Sequence, residues 1–91
     1  MERLEAKISG KVQMVMYRDF AQRKGRALKL VGEAKNMKDG TVQVVAEGPR
    51  RTLETFLEEL EKGPFLAKVE EVETHWFPAL GSYTHFSIVY E

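Results

Sequence analysis

Cysteine is absent from this sequence of 91 residues. The absence excludes disulfide bonds, catalysis by a thiolate and every metal site built on cysteine ligands. Net charge is absent too, because Lys plus Arg and Asp plus Glu number 14 each. General nucleic-acid and membrane-surface binders usually carry a net positive charge. We therefore predict neither a nucleic-acid partner nor a membrane partner.

Long apolar runs are also missing, since none approaches the roughly 20 residues that a membrane-spanning helix needs. The first residues, Met1 to Glu5, lack the apolar core of a secretion signal. Both absences predict a cytoplasmic protein. Apolar residues make up 43% of the chain and charged residues 31%, which is typical of a folded globular protein. Without linkers or repeats, the length predicts one domain over residues 1–91 and a monomer.

The first half of the chain alternates between strand and helix patterns. Leu4, Ala6 and Ile8 alternate with polar residues and predict a half-buried strand. A helix is predicted from Arg18 to about Leu28, and its apolar side would hold Phe20, Ala21, Ala27 and Leu28. Strands are then predicted over residues 32–37 and 41–47, joined by a turn at Lys38-Asp39-Gly40.

The second half continues with one clear helix and two strands. The helix carries an apolar stripe at spacing i, i+3, i+4 and i+7, formed by Leu53, Phe56, Leu57 and Leu60. A fourth strand follows, and its alternation slips at Glu70-Glu71, which indicates an irregularity there. A short fifth strand is predicted from the alternation of Phe86, Ile88 and Tyr90.

The predicted element order is β-α-β-β-α-β with one additional strand at the end. This order favours an α+β sandwich, an antiparallel sheet with both helices on one face. Right-handed crossovers leave the ferredoxin-like arrangement as the leading topology, with a short extra C-terminal strand. The fold alone does not indicate a function, because this architecture hosts many unrelated activities.

The loop after the first strand is the part of the sequence that points to chemistry. It leads from Gly10 into a helix whose first residues include Arg18. Free N–H groups at a helix start, and successive N–H groups in a curved loop, bind anions. Arginine adds a planar fork of donors that pairs with two phosphoryl oxygens. The alternative, in which Arg18 is an ordinary solvated helix residue, stays open on spacing alone.

Two segments carry a resemblance to a known family. The loop reads Gly10-Lys11-Val12-Gln13-Met14-Val15-Met16-Tyr17-Arg18. It resembles the acylphosphatase signature, which runs roughly Gly-x-Val-Gln-Gly-Val-x-Phe/Tyr-Arg. The segment from Leu28 to Val42 resembles the second signature of that family, Leu-Gly-Leu-x-Gly-x-x-x-Asn followed by a turn with Asp-Gly. The resemblance extends from about residue 5 to residue 90 and implies the same ferredoxin-like fold.

The resemblance implies hydrolysis of the carboxyl–phosphate bond of a small-molecule acyl phosphate. It implies that the phosphoryl group is bound by Arg18 and by the backbone N–H groups of Gln13, Met14, Val15, Met16, Tyr17 and Arg18. It also implies that Asn36 orients the attacking water, without a metal, a cofactor or a covalent intermediate. Without the family, the simpler reading of Asn36 is a strand-end residue that satisfies a neighbouring turn.

The sequence departs from the family pattern at two glycines. Met14 replaces the glycine of Val-Gln-Gly-Val, and Lys29 replaces the glycine of Leu-Gly-Leu. If the loop requires a positive φ at position 14, methionine costs about 1–2 kcal/mol there, or the loop takes another shape. The alternative prediction is therefore a non-catalytic or weakly active phosphate-binding module. Met16 occupies a variable position and is expected to be neutral, and Lys29 is expected to affect the end of the first helix.

Two other functions are alternatives to a free-standing enzyme. One is an acylphosphatase-like module within a larger maturation factor, but the usual partner domains are absent, so a free-standing enzyme is expected. The other is an RRM-like nucleic-acid binder, which stacks bases on aromatic residues of its central strands. The third predicted strand has no aromatic residue, which argues against an RRM-like nucleic-acid binder.

His75 and His85 are interpreted as strand-surface histidines rather than a metal pair.

Overall fold

A computed structural model describes residues 1–90 of the chain. Its elements are β1 (Glu2–Lys11), α1 (Tyr17–Ala27), β2 (Val31–Asn36), β3 (Val42–Gly48), α2 (Arg50–Lys62), β4 (Lys68–Pro78) and β5 (Phe86–Val89). The predicted βαββαβ order with an additional strand is confirmed. No helix within these residues combines the length and the apolar character that crossing a membrane requires.

The five strands form one sheet in the order β4-β1-β3-β2-β5. Neighbours among the first four strands are antiparallel, as predicted, but β5 lies parallel to β2. The direction follows from the connection between β4 and β5. Strand β4 ends where Pro78 pairs with Glu2, at the end of the sheet where β2 begins. The chain crosses this end over residues 79–85 and enters β5 beside Gly32, so it runs the same way as β2.

The core lies between one face of the sheet and the two helices. Alternate residues of the central strands are fully buried there, namely Leu4, Ala6, Ile8, Val42, Val44 and Ala46. The predicted stripe of α2 packs against them through Leu53, Phe56 and Leu60, and Leu57 is partly buried. This agreement reflects the two periodicities, 2 for a strand and 3.6 for a helix.

Helix α1 packs differently from the prediction at its C-terminal half. Ala27 is exposed, and Gly25 is the buried residue of that turn. A Cβ atom at position 25 would lie only 2.5 Å from Cδ2 of Phe86. The glycine therefore lets α1 approach the ring of Phe86 in β5, and this close approach outweighs its low helix propensity.

The irregularity predicted at Glu70-Glu71 is a β-bulge. Ser9 pairs with Glu71 and Gly10 with Val69, so Glu70 is the extra residue of β4. Gly10 has φ 120°, and a Cβ atom there would lie 2.2 Å from the carbonyl oxygen of Lys68. Because a bulge bends and twists a strand locally, it redirects the chain just before the loop that follows β1.

A buried carboxylate holds the connection between β4 and β5. The side chain of Glu47 accepts hydrogen bonds from Arg3 Nη1 at 3.1 Å and from the N–H groups of Leu80 and Gly81 at 3.0 Å each. Burial alone would raise the pKa of Glu47, but these hydrogen bonds outweigh it and hold the pKa below its usual range. The crossing segment is thereby pinned to the end of β3.

Candidate active site

The loop between β1 and α1 alternates in backbone handedness. Met14 and Met16 both have φ 63°, in the left-handed region, whereas Gln13 and Val15 have negative φ. Such alternation turns successive backbone N–H groups toward one concave side. Among residues 1–90, no acceptor pairs with the backbone N–H groups of positions 13 to 18. Met14 thus has the positive φ that the missing glycine suggests and that strains a residue with a Cβ atom. Met16, which was expected to be neutral, has the same positive φ.

Three side chains of this segment anchor it in the core. Val12, Val15 and Tyr17 are buried, and the Tyr17 hydroxyl donates a hydrogen bond to the carbonyl of Leu60. Burial raises the pKa of Tyr17 well above its usual range, so the phenol stays protonated and remains a donor. The buried side chains of Val12, Val15 and Tyr17 therefore hold Met14 and Met16 in place.

A cavity of about 410 Å³ opens beside the loop. Its walls come from the loop, the first turn of α1, the end of β2 and the end of β5, with lining residues Val12, Met14, Met16, Tyr17, Arg18, Asp19, Asn36, Ile88 and Tyr90. The structure thus brings Arg18 and Asn36, the two residues to which the family resemblance assigns catalytic roles, to one cavity. Gln13 and Val15, which belong to the same loop, are not among the residues that line the cavity.

Arg18 lies in the first turn of α1 and is held by the end of β5. Its Nη1 donates to the carbonyl of Val89 at 3.4 Å, and its Cζ lies 4.8 Å from the centroid of the Tyr90 ring. The neighbouring carboxylate of Asp19 pairs with Arg23 at 2.9 Å. Within the described residues no carboxylate pairs with Arg18, so its guanidinium keeps donors for an anion.

The amide of Gln13 ties the loop to the hairpin that carries Asn36. Its Nε2 donates to the carbonyl of Met37 at 2.8 Å and to that of Thr41 at 2.9 Å. Met37 follows Asn36 directly, so these two bonds fix the end of β2 relative to the loop. Sequence reasoning missed this role, and no local pattern signals it, because the bonded residues are 24 and 28 positions apart.

Comparison with known proteins bears on this arrangement. The family model described as acylphosphatase matches residues 4–88. The chain belongs to the acylphosphatase family. It is 55% identical over 76 residues to an acylphosphatase of Thermus thermophilus, covering 84% of this chain and 86% of that protein. Relatives that bear this name make the chain an enzyme of the acylphosphatase type and support hydrolysis of acyl phosphates.

Solved structures agree with this membership. The acylphosphatase of Bacillus subtilis superposes with a TM-score of 0.95 at 36% identity, covering 99% of this chain and all of that one. HypF from T. kodakarensis matches with a TM-score of 0.87 at 30% identity, but the match covers only 12% of its chain. The ferredoxin-like fold predicted from the element order is confirmed.

Both departures from the acylphosphatase signatures sit at left-handed backbone positions. Lys29 has φ 59° and directly follows Leu28, which caps the end of α1. The N–H of Lys29 donates to Arg26 and that of Leu30 to Gly25, the hydrogen-bond pattern of a Schellman motif. Lys29 therefore lies at the end of the first helix, where the sequence predicts that it acts.

Two cavity residues, Ile88 of β5 and Tyr90 directly after it, were not predicted as part of the site. The alternation in the sequence predicts only a fifth strand for Ile88 and Tyr90, and the parallel pairing of β5 beside β2 brings them to the cavity.

The two histidines are not among the residues that line the cavity. His75 is exposed on β4 with Nε2 at 3.2 Å from Glu73, and His85 is exposed just before β5 rather than within it.

Proposed function

We propose that the loop following β1 holds the phosphoryl group of an acyl phosphate and that Asn36 orients the attacking water. The ligands of the phosphoryl group would be Arg18 and the backbone N–H groups of Gln13, Met14, Val15, Met16, Tyr17 and Arg18. The observation that carries the proposal is the alternating loop, whose N–H groups have no acceptor among residues 1–90 and adjoin a cavity shared by Arg18 and Asn36.

The reaction is a hydrolysis at phosphorus. The water oxygen forms a bond to phosphorus while the bond between phosphorus and the acyl oxygen breaks. The electron pair of the broken bond leaves with the carboxylate, and the proton of the water passes to a phosphoryl oxygen. Asn36 is neutral and cannot take this proton at neutral pH, so its amide acts by holding the water in line with the bond that breaks.

The small number of side chains suits this chemistry. A carboxylate is a good leaving group, so no strong general acid is required. Phosphoryl transfer depends mainly on positioning and on stabilising the charge of the transferred group. Arg18 combines both contributions, because it lies at the N-terminus of a helix beside N–H groups that have no acceptor within residues 1–90. The two hydrogen bonds from Gln13 to the carbonyls of Met37 and Thr41, which we call the Gln13 clamp, hold Asn36 relative to the loop. They thereby position the water relative to the phosphoryl group.

The alternative function is a weakly active or non-catalytic phosphate-binding module, and Met14 is the observation that favours it. A non-glycine residue in the left-handed region costs about 1–2 kcal/mol. The loop nevertheless keeps this conformation, because φ at Met14 is 63° and its side chain is 99% exposed rather than inserted in the loop. These two observations support a loop that still presents its backbone N–H groups to a phosphoryl group, which we call the phosphate cradle. They therefore favour the catalytic function over the non-catalytic module.

Hydrolysis of acetyl phosphate by the purified chain tests the proposal. Arg18→Ala is expected to lower kcat/KM by at least about a hundredfold, the usual effect of losing one preorganised donor. Arg26→Ala, which removes an exposed arginine of the same helix, serves as the matched control. Asn36→Ala is expected to lower kcat more than it raises KM, with Lys35→Ala as its neighbour control. Unchanged turnover in Arg18→Ala would contradict the proposed mechanism.

Phosphate binding separates the two functions. Binding of inorganic phosphate, measured by calorimetry, without turnover of acetyl or benzoyl phosphate would establish the non-catalytic module instead. We also propose that residues 1–91 act as one monomeric domain on a small-molecule substrate in the cytoplasm. Light scattering coupled to gel filtration tests the monomer, and a dimer mass would contradict it.

A further inference from the structure

The cavity beside the loop has an apolar mouth. Met14, Met16 and Tyr90 line it with side chains that are 99%, 70% and 73% exposed. Ile88, which is half-buried, lines the same cavity. An apolar group of a ligand would cover these side chains and remove apolar surface from water, which is favourable.

The charges of the lining residues are as informative as the apolar surface. Arg18 is the only cation among the cavity-lining part of residues 1–90, and the proposed function assigns it to the phosphoryl group. Among the described residues that line the cavity, Asp19 is the only carboxylate, and it already pairs with Arg23. A second negative charge on a ligand would therefore meet no further cation among the described lining residues and would lie near a carboxylate.

The acyl part of a bound substrate must extend out of the phosphate site through the apolar mouth of the cavity. The phosphoryl group would lie against the backbone N–H groups, whereas the exposed methionine side chains extend away from the core toward solvent. The acyl part of the same molecule, on the outer side of the phosphorus, would then run past those side chains. Methionine is flexible and polarisable, and its sulfur makes favourable contacts with aromatic rings.

We propose that Met14, Met16 and Tyr90 form an acyl-group subsite that selects acyl phosphates with an uncharged apolar acyl group, aromatic or branched, over short or anionic ones. This inference rests on the proposed function, because the subsite has meaning only if the phosphoryl group occupies the cradle. It adds a substrate class to that function. The same loop would supply the phosphate cradle through its backbone and the substrate preference through two side chains.

The experiment compares kcat/KM for benzoyl, acetyl and succinyl phosphate, which carry an aromatic, a short and an anionic acyl group. In the unchanged chain, benzoyl phosphate is expected to be the best substrate and succinyl phosphate the worst. The double variant Met14→Gln/Met16→Gln keeps side-chain length and is expected to lower the benzoyl-to-acetyl ratio about tenfold, the usual scale of a small apolar contact. Leu66→Gln is the control, since Leu66 is 67% exposed and lies outside the cavity walls.

A charge variant tests the same subsite in the opposite direction. Met16→Lys supplies the missing cation and is expected to raise the succinyl-to-acetyl ratio severalfold, by about the worth of an exposed ion pair. Leu66→Lys places the same charge outside the cavity and is expected to leave that ratio unchanged. Circular dichroism verifies folding, and Met14→Gln alone replaces the double variant if the latter is unfolded.

The outcomes distinguish this inference from the proposed function. Turnover of acetyl phosphate with a benzoyl-to-acetyl ratio that is unaffected by the methionine variants would overturn the subsite and leave the hydrolysis intact. An equal change in the Leu66 variants would overturn it as well. Failure of the unchanged chain to hydrolyse any of the three substrates would overturn the proposed function, and the subsite with it.

Discussion

The guanidinium of Arg18 stacks on the ring of Tyr90, with Cζ 4.8 Å from the ring centroid. The two residues are far apart in the sequence, since Arg18 lies in the first turn of α1 and Tyr90 directly follows β5. The carbonyl of Val89 adds a hydrogen bond from Nη1 at 3.4 Å. The end of β5 therefore restrains the side chain that is proposed to bind the phosphoryl group.

Removing this aromatic support should weaken catalysis without removing Arg18. Tyr90→Ala is expected to lower kcat/KM for acetyl phosphate about two- to fivefold, which corresponds to an exposed cation–π contact. Tyr90→Phe keeps the ring and is expected to retain activity. Steady-state kinetics with acetyl phosphate, whose small acyl group makes little contact at the mouth, measure the effect. A similar loss in both variants would show that the hydroxyl, and not stacking, matters.

The Gln13 clamp should matter to both stability and rate. Gln13→Glu keeps the shape of the side chain but replaces the donating Nε2 by an acceptor that faces two carbonyls. We expect the free energy of unfolding to fall by about 1–3 kcal/mol, since the carbonyls lose their donor. We also expect kcat to fall, because Asn36 is no longer held relative to the loop. Urea unfolding and acetyl phosphate kinetics measure the two effects.

The control for this clamp lies on the adjacent strand. Gln43→Glu introduces the same chemical change at a half-buried glutamine of β3 that does not line the large cavity. Its kcat should match that of the unchanged chain. Equal losses of kcat in the two variants would mean that negative charge alone, and not the broken clamp, lowers the rate.

The Schellman motif after α1 predicts a stabilising substitution. Lys29 has φ 59°, a conformation that glycine adopts without strain. Lys29→Gly is therefore expected to raise the free energy of unfolding by about 0.5–1 kcal/mol. Lys29→Ala removes the same charge but keeps a Cβ atom, so it should bring no gain. Thermal melts of the three proteins decide between relief of backbone strain and removal of charge.

Glu47 should make stability depend on pH in the acid range. Hydrogen bonds hold its folded-state pKa below the ordinary 4.5, so the folded state favours the carboxylate. The resulting stability is fully present above about pH 4.5 and is lost as the pH falls through the folded pKa. Glu47→Gln should lower the free energy of unfolding by about 1–3 kcal/mol at neutral pH. It should also flatten the decline of stability below pH 4.5.

Denaturant midpoints measured from pH 3 to pH 7 would test this prediction, with Glu71→Gln as the control. Glu71 is exposed on β4 and makes no ion pair within residues 1–90. Its variant should follow the pH profile of the unchanged chain. A parallel acid decline in Glu47→Gln would assign the pH dependence to other groups.

Local periodicity accounts for the parts of the fold that sequence reasoning predicted. The alternation around Leu4 and Val44 and the stripe around Phe56 are properties of neighbouring residues, so they are visible in the sequence. The slip at Glu70-Glu71 is equally local, and it corresponds to the bulge opposite Ser9 and Gly10. In each case one apolar face must be buried, and this requirement leaves a pattern that can be read along the chain.

The parts that were not predicted depend on contacts between distant residues. The exposure of Ala27 follows from the packing of Gly25 against Phe86, and the parallel pairing of β5 follows from the crossing pinned by Glu47. The clamp by Gln13 joins the loop to a hairpin more than twenty positions away. Such contacts leave no periodic trace. Arg18 and Asn36 were predicted through a family resemblance and not through spacing.

The alternating loop also separates two kinds of evolutionary constraint. Val12, Val15 and Tyr17 are buried, so mutations there would be filtered by foldability. Met14 and Met16 extend into solvent at the cavity mouth, so their side chains can be exchanged with little effect on the core. A lineage of this chain could therefore drift toward new substrates by changing two positions, while the proposed phosphate site, formed by the loop backbone and Arg18, is inherited unchanged.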